Sequence, residues 1–251
     1  MNRKAIILVA GMGTRLKPLT LQNHKCLTEV NGIPILENAL SNLSAAGVSQ
    51  AVLVVGYLKE QIRERIGDHY ADMSIIYAEN DIYDQTNTVY SLKKGLNVLT
   101  DYDELLLLEG DVFFHKVILD DLISLDVPDA TVLEPYNDML DGTFAELDQK
   151  GYVVDWTHKS MRPEGYVISD KYKTVNIHKF SYAFIQDYLC PAINAIEKEK
   201  GIKQPIENVM QMIVRKNPDL IKGLVLSGHK WFEIDDQNDL AIAEKIFSSG
   251  N

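Results

Sequence analysis

Four ionic side chains stand in contexts that suit polyphosphate chemistry: Arg15, Lys25, Asp111 and Asp235. The first two belong to or follow the stretch Leu8-Val9-Ala10-Gly11-Met12-Gly13-Thr14-Arg15-Leu16-Lys17-Pro18-Leu19-Thr20. Its glycines let backbone N–H groups come close to an anion, and a guanidinium binds phosphate oxygens in a fork. Lys17 and Lys25 are further cations within reach. Two well-known phosphate loops are excluded. A dinucleotide fingerprint needs a third glycine where Leu16 stands, and the other loop needs a Gly-Lys-Ser/Thr that occurs nowhere.

Asp111 follows Leu105-Leu106-Leu107-Leu108-Glu109-Gly110, at the carboxyl end of a buried strand. Carboxylates there often hold Mg²⁺, which takes oxygen ligands and bridges substrate phosphates, although an Asp after Gly can also simply make a turn. Asp235, after Trp231-Phe232-Glu233-Ile234, is a candidate partner on a neighbouring strand end. Its alternative is to cap the helix that follows, a task expected instead of Asp236 or its neighbours. Together these residues make a site for a nucleoside triphosphate with Mg²⁺. No general base or covalent nucleophile is evident, and none is needed if the acceptor is a phosphate or phosphonate already ionised at neutral pH.

The elements that must position these groups are legible as alternating patterns. Strands are predicted at Ala5 to Ala10, Ala51 to Val55, Ser74 to Ala78 and Glu104 to Leu108, with helices at Ile35 to Ala46, Leu58 to Ile66 and Thr88 to Leu99. Gly47 and Gly67 fall at helix C-caps. This is the signature of a sheet wound with crossover helices, whose ligands gather at the carboxyl ends of the strands. Further strands are expected at Ala130 to Leu133, Ala145 to Leu147, Tyr152 to Trp156, Thr174 to His178, Leu224 to Leu226 and Trp231 to Ile234. Helices are expected at Tyr182 to Lys198, Ile206 to Val214 and Gln237 to Ile246. No repeat, linker or composition break divides the 251 residues, so a single domain is expected. Within it, 1–115 would form a nucleotide-binding half, 116–230 an acceptor-binding half, and 231–251 a segment carrying a metal ligand and a final helix.

With 46% hydrophobic and 24% charged residues the composition is that of an ordinary globular protein, and a net charge of -11 without a basic stripe argues against nucleic acid. Two cysteines, Cys26 and Cys190, make no disulfide framework or zinc spacing, which fits a reducing, cytoplasmic home. The six apolar residues Ala5 to Ala10 are too few for a leader's apolar region and read as a first strand. No apolar run approaches the roughly 20 residues of a membrane helix. Assembly into a homo-oligomer is left open.

The opening stretch, followed by His24-Lys25-Cys26-Leu27 and Val30-Asn31-Gly32-Ile33-Pro34-Ile35-Leu36, resembles the signature of the sugar-phosphate nucleotidyltransferase superfamily. The likeness continues through Val55-Gly56-Tyr57, Glu109-Gly110-Asp111 and Trp231 to Asp235. It implies an α/β, Rossmann-like three-layer sandwich with a mostly parallel mixed sheet, of the nucleotide-diphospho-sugar transferase type. It also implies transfer of a nucleotidyl group from a nucleoside triphosphate to a phosphorylated acceptor, with release of pyrophosphate. Position by position, Leu8, Ala10, Gly11, Met12, Gly13, Thr14, Arg15, Glu109 and Gly110 would line the nucleotide. Arg15 and Lys25 would act on the reacting phosphates, and Asp111 and Asp235 would hold Mg²⁺. His24 stands where the superfamily usually has proline, and is read as a tolerated substitution.

The chain length, Val55 to Glu60 and Asn87-Thr88-Val89-Tyr90-Ser91-Leu92 look most like the cytidylyltransferase branch acting on phosphocholine or on phosphonates such as 2-aminoethylphosphonate. Gly56, Tyr57, Asn87, Thr88 and Ser91 would then lie near the cytosine of CTP. The acceptor pocket would draw on Trp156, Lys173 and Asn176, with Lys159, Arg162 and Tyr166 as further candidates. Trp156, Tyr166 and Trp231 could form an aromatic cage for a quaternary ammonium or could be packing; His158 and His178 read as surface or satisfied histidines. Two other functions share these features: a hexose-1-phosphate nucleotidyltransferase using another triphosphate, and a non-catalytic nucleotide-binding regulatory subunit.

Overall fold

The computed structural model describes residues 1–248. Four parallel strands form the centre of a ten-stranded sheet, in the order Glu104–Glu109, Arg3–Val9, Gln50–Val55, Met73–Glu79. The second half of the chain extends it. Tyr172–Ser181 runs antiparallel beside Glu104–Glu109 and carries Phe144–Leu147 and then Val153–Thr157 outward. Ala130–Pro135 pairs with Tyr172–Ser181, and Lys222–Val225 lies parallel to it.

Alternating side chains of the central strands feed two cores, as the period of a β-strand dictates. Ala5, Ile7 and Val9 face one layer with Leu36, Leu40, Ile62 and Ile118 from the helices Ile35–Ala45, Lys59–Ile66 and Val117–Ser124. Ile6 and Leu8 face the other, with Val89, Leu92, Ile193 and Met210 from Thr88–Val98, Cys190–Lys200 and Ile206–Lys216. The architecture is thus the expected three-layer sandwich on a mostly parallel mixed sheet.

A third, smaller core joins distant parts of the chain. Leu16 from the glycine loop, Val30, Ile35, Phe113, Phe232, Ile234 and Ala243 pack together. The ribbon of Val112–Phe114 with Trp231–Glu233 and the helix Gln237–Ile246 are thereby fastened onto the opening loop.

Several elements differ from the sequence pattern. Ala10 leaves the first strand, which runs from Arg3 to Val9. The helix expected over Tyr182 to Lys198 has a π-helical turn at Ile185–Leu189 between Tyr182–Phe184 and Cys190–Lys200. The strand expected at Leu224 to Leu226 is Lys222–Val225, because its partner register begins opposite Ala130. Val112–Phe114 and the short pairs Glu29–Val30 with Ile33–Pro34 and His69–Tyr70 with Met73 carry too few residues to show a period, and the helix Val117–Ser124 adds to the expected elements. Among the described residues no helix is long and apolar enough to cross a membrane. The expected segment 231–251 extends past residue 248, beyond the described residues.

Candidate active site

The glycine loop leaves the end of the first strand and folds over Lys25. Gly13 sits at φ 57°, and a Cβ there would come within 2.8 Å of Lys25 Cβ, so only glycine allows the loop this close. Its carbonyl accepts from Thr20 Oγ1 at 2.8 Å. Gly110 is under the same demand: a Cβ would meet Val9 Cγ1 at 2.2 Å, so the turn that delivers Asp111 passes tightly beneath the first strand. His24 occupies φ −66°, a value proline would also take, and its Nδ1 accepts from Cys26 N at 3.1 Å. The ring is buried, which pushes its pKa down to about 4, and it acts as a neutral cap for the turn holding Lys25.

Asp111 and Asp235 converge because the ribbon ties their strand ends, with Glu233 opposite Val112 and Ile234 N donating to Asp111 O at 2.9 Å. Asp236 caps the final helix, accepting from Asn238 N and Asp239 N, while Asp239 Oδ2 accepts from the N–H groups of Asp235 and Asp236. The Asp235 carboxylate is left for the cleft. Lys25 Nζ lies 2.7 Å from Asp111 Oδ2 and 2.8 Å from Asp235 Oδ1, and Arg15 Nη2 is 2.7 Å from Asp235 Oδ1. Burial alone would lower the Lys25 pKa, but the two aspartates outweigh it and raise it. Burial likewise works to raise Asp235, yet Lys25 and Arg15 hold it below the usual carboxylate range.

A bulge delivers the next residue. The pairing of Tyr172–Ser181 with Ala130–Pro135 is interrupted between Thr174 and His178, and Asn176 adopts φ 62°, a conformation asparagine tolerates. Its amide donates to Glu109 Oε2 at 3.2 Å and Glu233 Oε1 at 3.4 Å. Lys173, 3% exposed, pairs with Glu233 at 2.9 Å. Burial, with the charges of Asp111, Glu207 and Glu233, holds Glu109 well above its ordinary pKa; burial also raises Glu233, against the pull of Lys173.

Ligand oxygens of Glu109, Asp111 and Glu233 all lie within 4.8 Å of one another, and Asp111 Oδ1 is buried without a hydrogen-bond partner. An all-oxygen donor set with one orphaned carboxylate oxygen fits a hard divalent cation such as Mg²⁺.

Two cavities meet here. The first, of about 510 Å³, is lined by Leu8, Ala10, Gly11, Met12, Gly13, Thr14, Arg15, Lys25, Asn87, Thr88, Ser91, Glu109, Gly110, Asp111 and Asp235, all expected on sequence grounds. Gly56 and Tyr57 are not on its wall. Tyr57 N donates to Ala10 O at 3.1 Å and its hydroxyl to Thr20 O at 3.2 Å, so this pair braces the loop from behind. Asn80, Tyr83 and Thr86 line the cavity unanticipated. Asn80 follows the strand Met73–Glu79 directly, the strand-end position where α/β sheets bind ligands, and that was its one signal. Its amide donates to Thr86 Oγ1 and Ser91 Oγ at 2.9 and 3.1 Å.

The second cavity, of about 590 Å³, has Lys173 and Asn176 on its wall together with Thr143, His158, Lys159, Glu207, Trp231 and Glu233. Trp156 is not there: it is 2% exposed and belongs to the core beneath Ile206–Lys216, because its end of the strand Val153–Thr157 faces that helical layer. His178 is also core, bonded to Thr131 Oγ1 at 2.8 Å and stacked on Phe180.

A strand-end cleft with a glycine loop, a lysine and paired carboxylates suits nucleotide chemistry, and the chain belongs to the nucleotidyl transferase family, whose model matches residues 4–133. It is 29% identical over 98% of its length to a CMP-5'-(3-aminopropyl)phosphonate synthase of Streptomyces rubellomurinus, spanning 39% of that protein. A 2-aminoethylphosphonate cytidylyltransferase of Lancefieldella rimae is 40% identical over 38% of this chain and 37% of that one. The chain thus spans well under half the length of these relatives. In fold it is similar to the CTP:phosphocholine cytidylyltransferase of Streptococcus pneumoniae, with a TM-score of 0.77, 22% identity, and 99% and 100% of the two chains covered.

Proposed function

We propose that this chain is a cytidylyltransferase, moving CMP from CTP to a small phosphonate or phosphate acceptor and releasing pyrophosphate. The observation that carries the reading is the wall the two cavities share: Arg15, Asn87, Thr88, Glu109, Asp111 and Asp235 line both. A nucleotide in one cavity and an acceptor in the other would meet at that seam. The names of the two relatives support CTP as donor and a phosphonate as acceptor.

In the reaction an acceptor P–O⁻ oxygen attacks the α-phosphorus of CTP, the bond from that phosphorus to the bridging oxygen breaks, and pyrophosphate leaves. No proton moves, which suits a cleft without a general base. Arg15, on the shared wall, and Lys25, on the first cavity's wall, are the cations we assign to the triphosphate, where they would neutralise charge that grows on the leaving pyrophosphate. Asn80, Thr86 and Ser91 form a polar shelf for the base. Asp111, whose oxygens cluster with those of Glu109 and Glu233, and Asp235, outside that cluster but tied to Asp111 through Lys25, are the residues we assign to Mg²⁺. A bound Mg²⁺ supplies charge neutralisation on the phosphates. Two free cysteines are consistent with a reducing, cytoplasmic setting.

Pyrophosphate release measured for each of the four common nucleoside triphosphates against a panel of aminoalkylphosphonates, phosphocholine and sugar phosphates tests the reading. Turnover with CTP and a phosphonate or amino-alcohol phosphate is expected. Turnover confined to a sugar 1-phosphate and another triphosphate would replace it.

A further inference from the structure

Glu207 lines only the acceptor cavity, and the fold leaves its charge unanswered. It lies in the first turn of Ile206–Lys216, where the helix dipole alone favours an acid. Yet its carboxylate turns to the cavity wall, where Oε1 accepts from Thr143 Oγ1 at 3.1 Å. Among the described residues no Lys, Arg or His pairs with it. The other carboxylates of this cavity are taken up: Glu233 has Lys173 at 2.9 Å, Asp235 has Arg15 and Lys25, Asp111 has Lys25, and Asp141 has Lys159 and Arg162 at 3.4 and 3.2 Å, while Asp236 and Asp239 form the capping box of the final helix and Glu109 accepts from Asn176 within the acidic cluster.

Ring faces are scarce in the same cavity. Trp231 and Phe232 are its aromatic lining, and Lys173 Nζ already lies 5.9 Å from the Trp231 ring centroid. Trp156 is in the core, and Tyr166 is off the wall beneath Lys171. A quaternary ammonium has no N–H to donate and is held by ring faces, whereas a primary ammonium has three donors that a carboxylate and a hydroxyl can accept.

Resting on the cytidylyl-transfer reading, we infer that the acceptor carries a primary ammonium group and that Glu207, with Thr143, is the residue that selects it. The ammonium donates to the Glu207 carboxylate and the Thr143 hydroxyl, and the phosphonate end is left at the seam.

The test is kcat/KM at saturating CTP for 2-aminoethylphosphonate, ethylphosphonate and phosphocholine, in the wild-type chain and in Glu207→Gln and Glu207→Asp. The wild type should prefer the primary amine over both others by at least about 10-fold. Glu207→Gln keeps the size and an acceptor for Thr143 but loses the charge. The preference over ethylphosphonate should fall by roughly 10- to 100-fold while KM for CTP moves by less than about 2-fold, and Glu207→Asp should retain part of it. An unchanged preference in Glu207→Gln overturns the inference, as does a wild type that uses phosphocholine or ethylphosphonate as well as the primary amine; both leave cytidylyl transfer standing. No pyrophosphate from CTP with any of the three overturns this inference, and none with any other aminoalkylphosphonate or amino-alcohol phosphate removes the cytidylyl-transfer reading as well. The wild-type comparison decides even if a variant fails to fold.

Discussion

Lys25 is enclosed by the two aspartates it bridges, 13% exposed, and pairs with both. Lys25→Met should lower kcat by roughly 10²- to 10³-fold, as expected for removing one group aimed at developing charge. It should also leave Asp111 and Asp235 repelling each other, lowering the thermal midpoint in EDTA by roughly 3–8 °C. Mg²⁺ should restore more of that loss in the variant than it adds to the wild type; equal responses would take Lys25 out of this role. Arg15 and Lys25 were legible as cations in and after the glycine loop, and Asp111 and Asp235 as carboxylates just past strand ends. Glu207 was not, since an acid in a first helical turn has an ordinary reason to be there. Trp156 misled because an aromatic at a strand's end can face either layer.

The short ribbon and final helix do for Asp235 what the long strands do for Asp111. Ile234 is fully buried in the small core with Leu16 and Phe232, so its packing sets where Asp235 stands relative to Arg15. Ile234→Ala should cost about 2–4 kcal/mol in urea unfolding and reduce kcat with it, since the ribbon end loses its anchor. Asp236→Ala removes the capping box and should cost about 1 kcal/mol. If either variant kept full activity despite its measured instability, the ribbon would not be positioning Asp235. Long apolar strands showed in the sequence; three-residue partners such as Val112–Phe114 did not, because pairing across more than 100 residues leaves no local period.

His178, on a central strand, and His24, in the turn that holds Lys25, are both buried, and among the described residues neither finds a carboxylate partner. Burial pushes His178 down to about 3 and His24 down to about 4. The unfolded chain takes up these protons near pH 6.5 while the native chain does not, so the stability linked to these two histidines is intact above about pH 6.5 and drains away toward pH 3. For His178 the loss is on the order of 4 kcal/mol, and His178→Gln should flatten the acid limb of urea midpoint against pH. An acid limb as steep as the wild type's would show that His178 is protonated in the native state. The alternation of strand and helix made this sandwich readable from sequence, whereas the join between cavities depends on a bulge at Asn176 and a ribbon that only the tertiary structure reveals. The most direct test of the whole account is ³¹P NMR of CTP, Mg²⁺ and 2-aminoethylphosphonate with the protein. One CMP–phosphonate anhydride and one pyrophosphate should form for each CTP consumed; CDP and a phosphorylated acceptor, or CTP left intact, would contradict it.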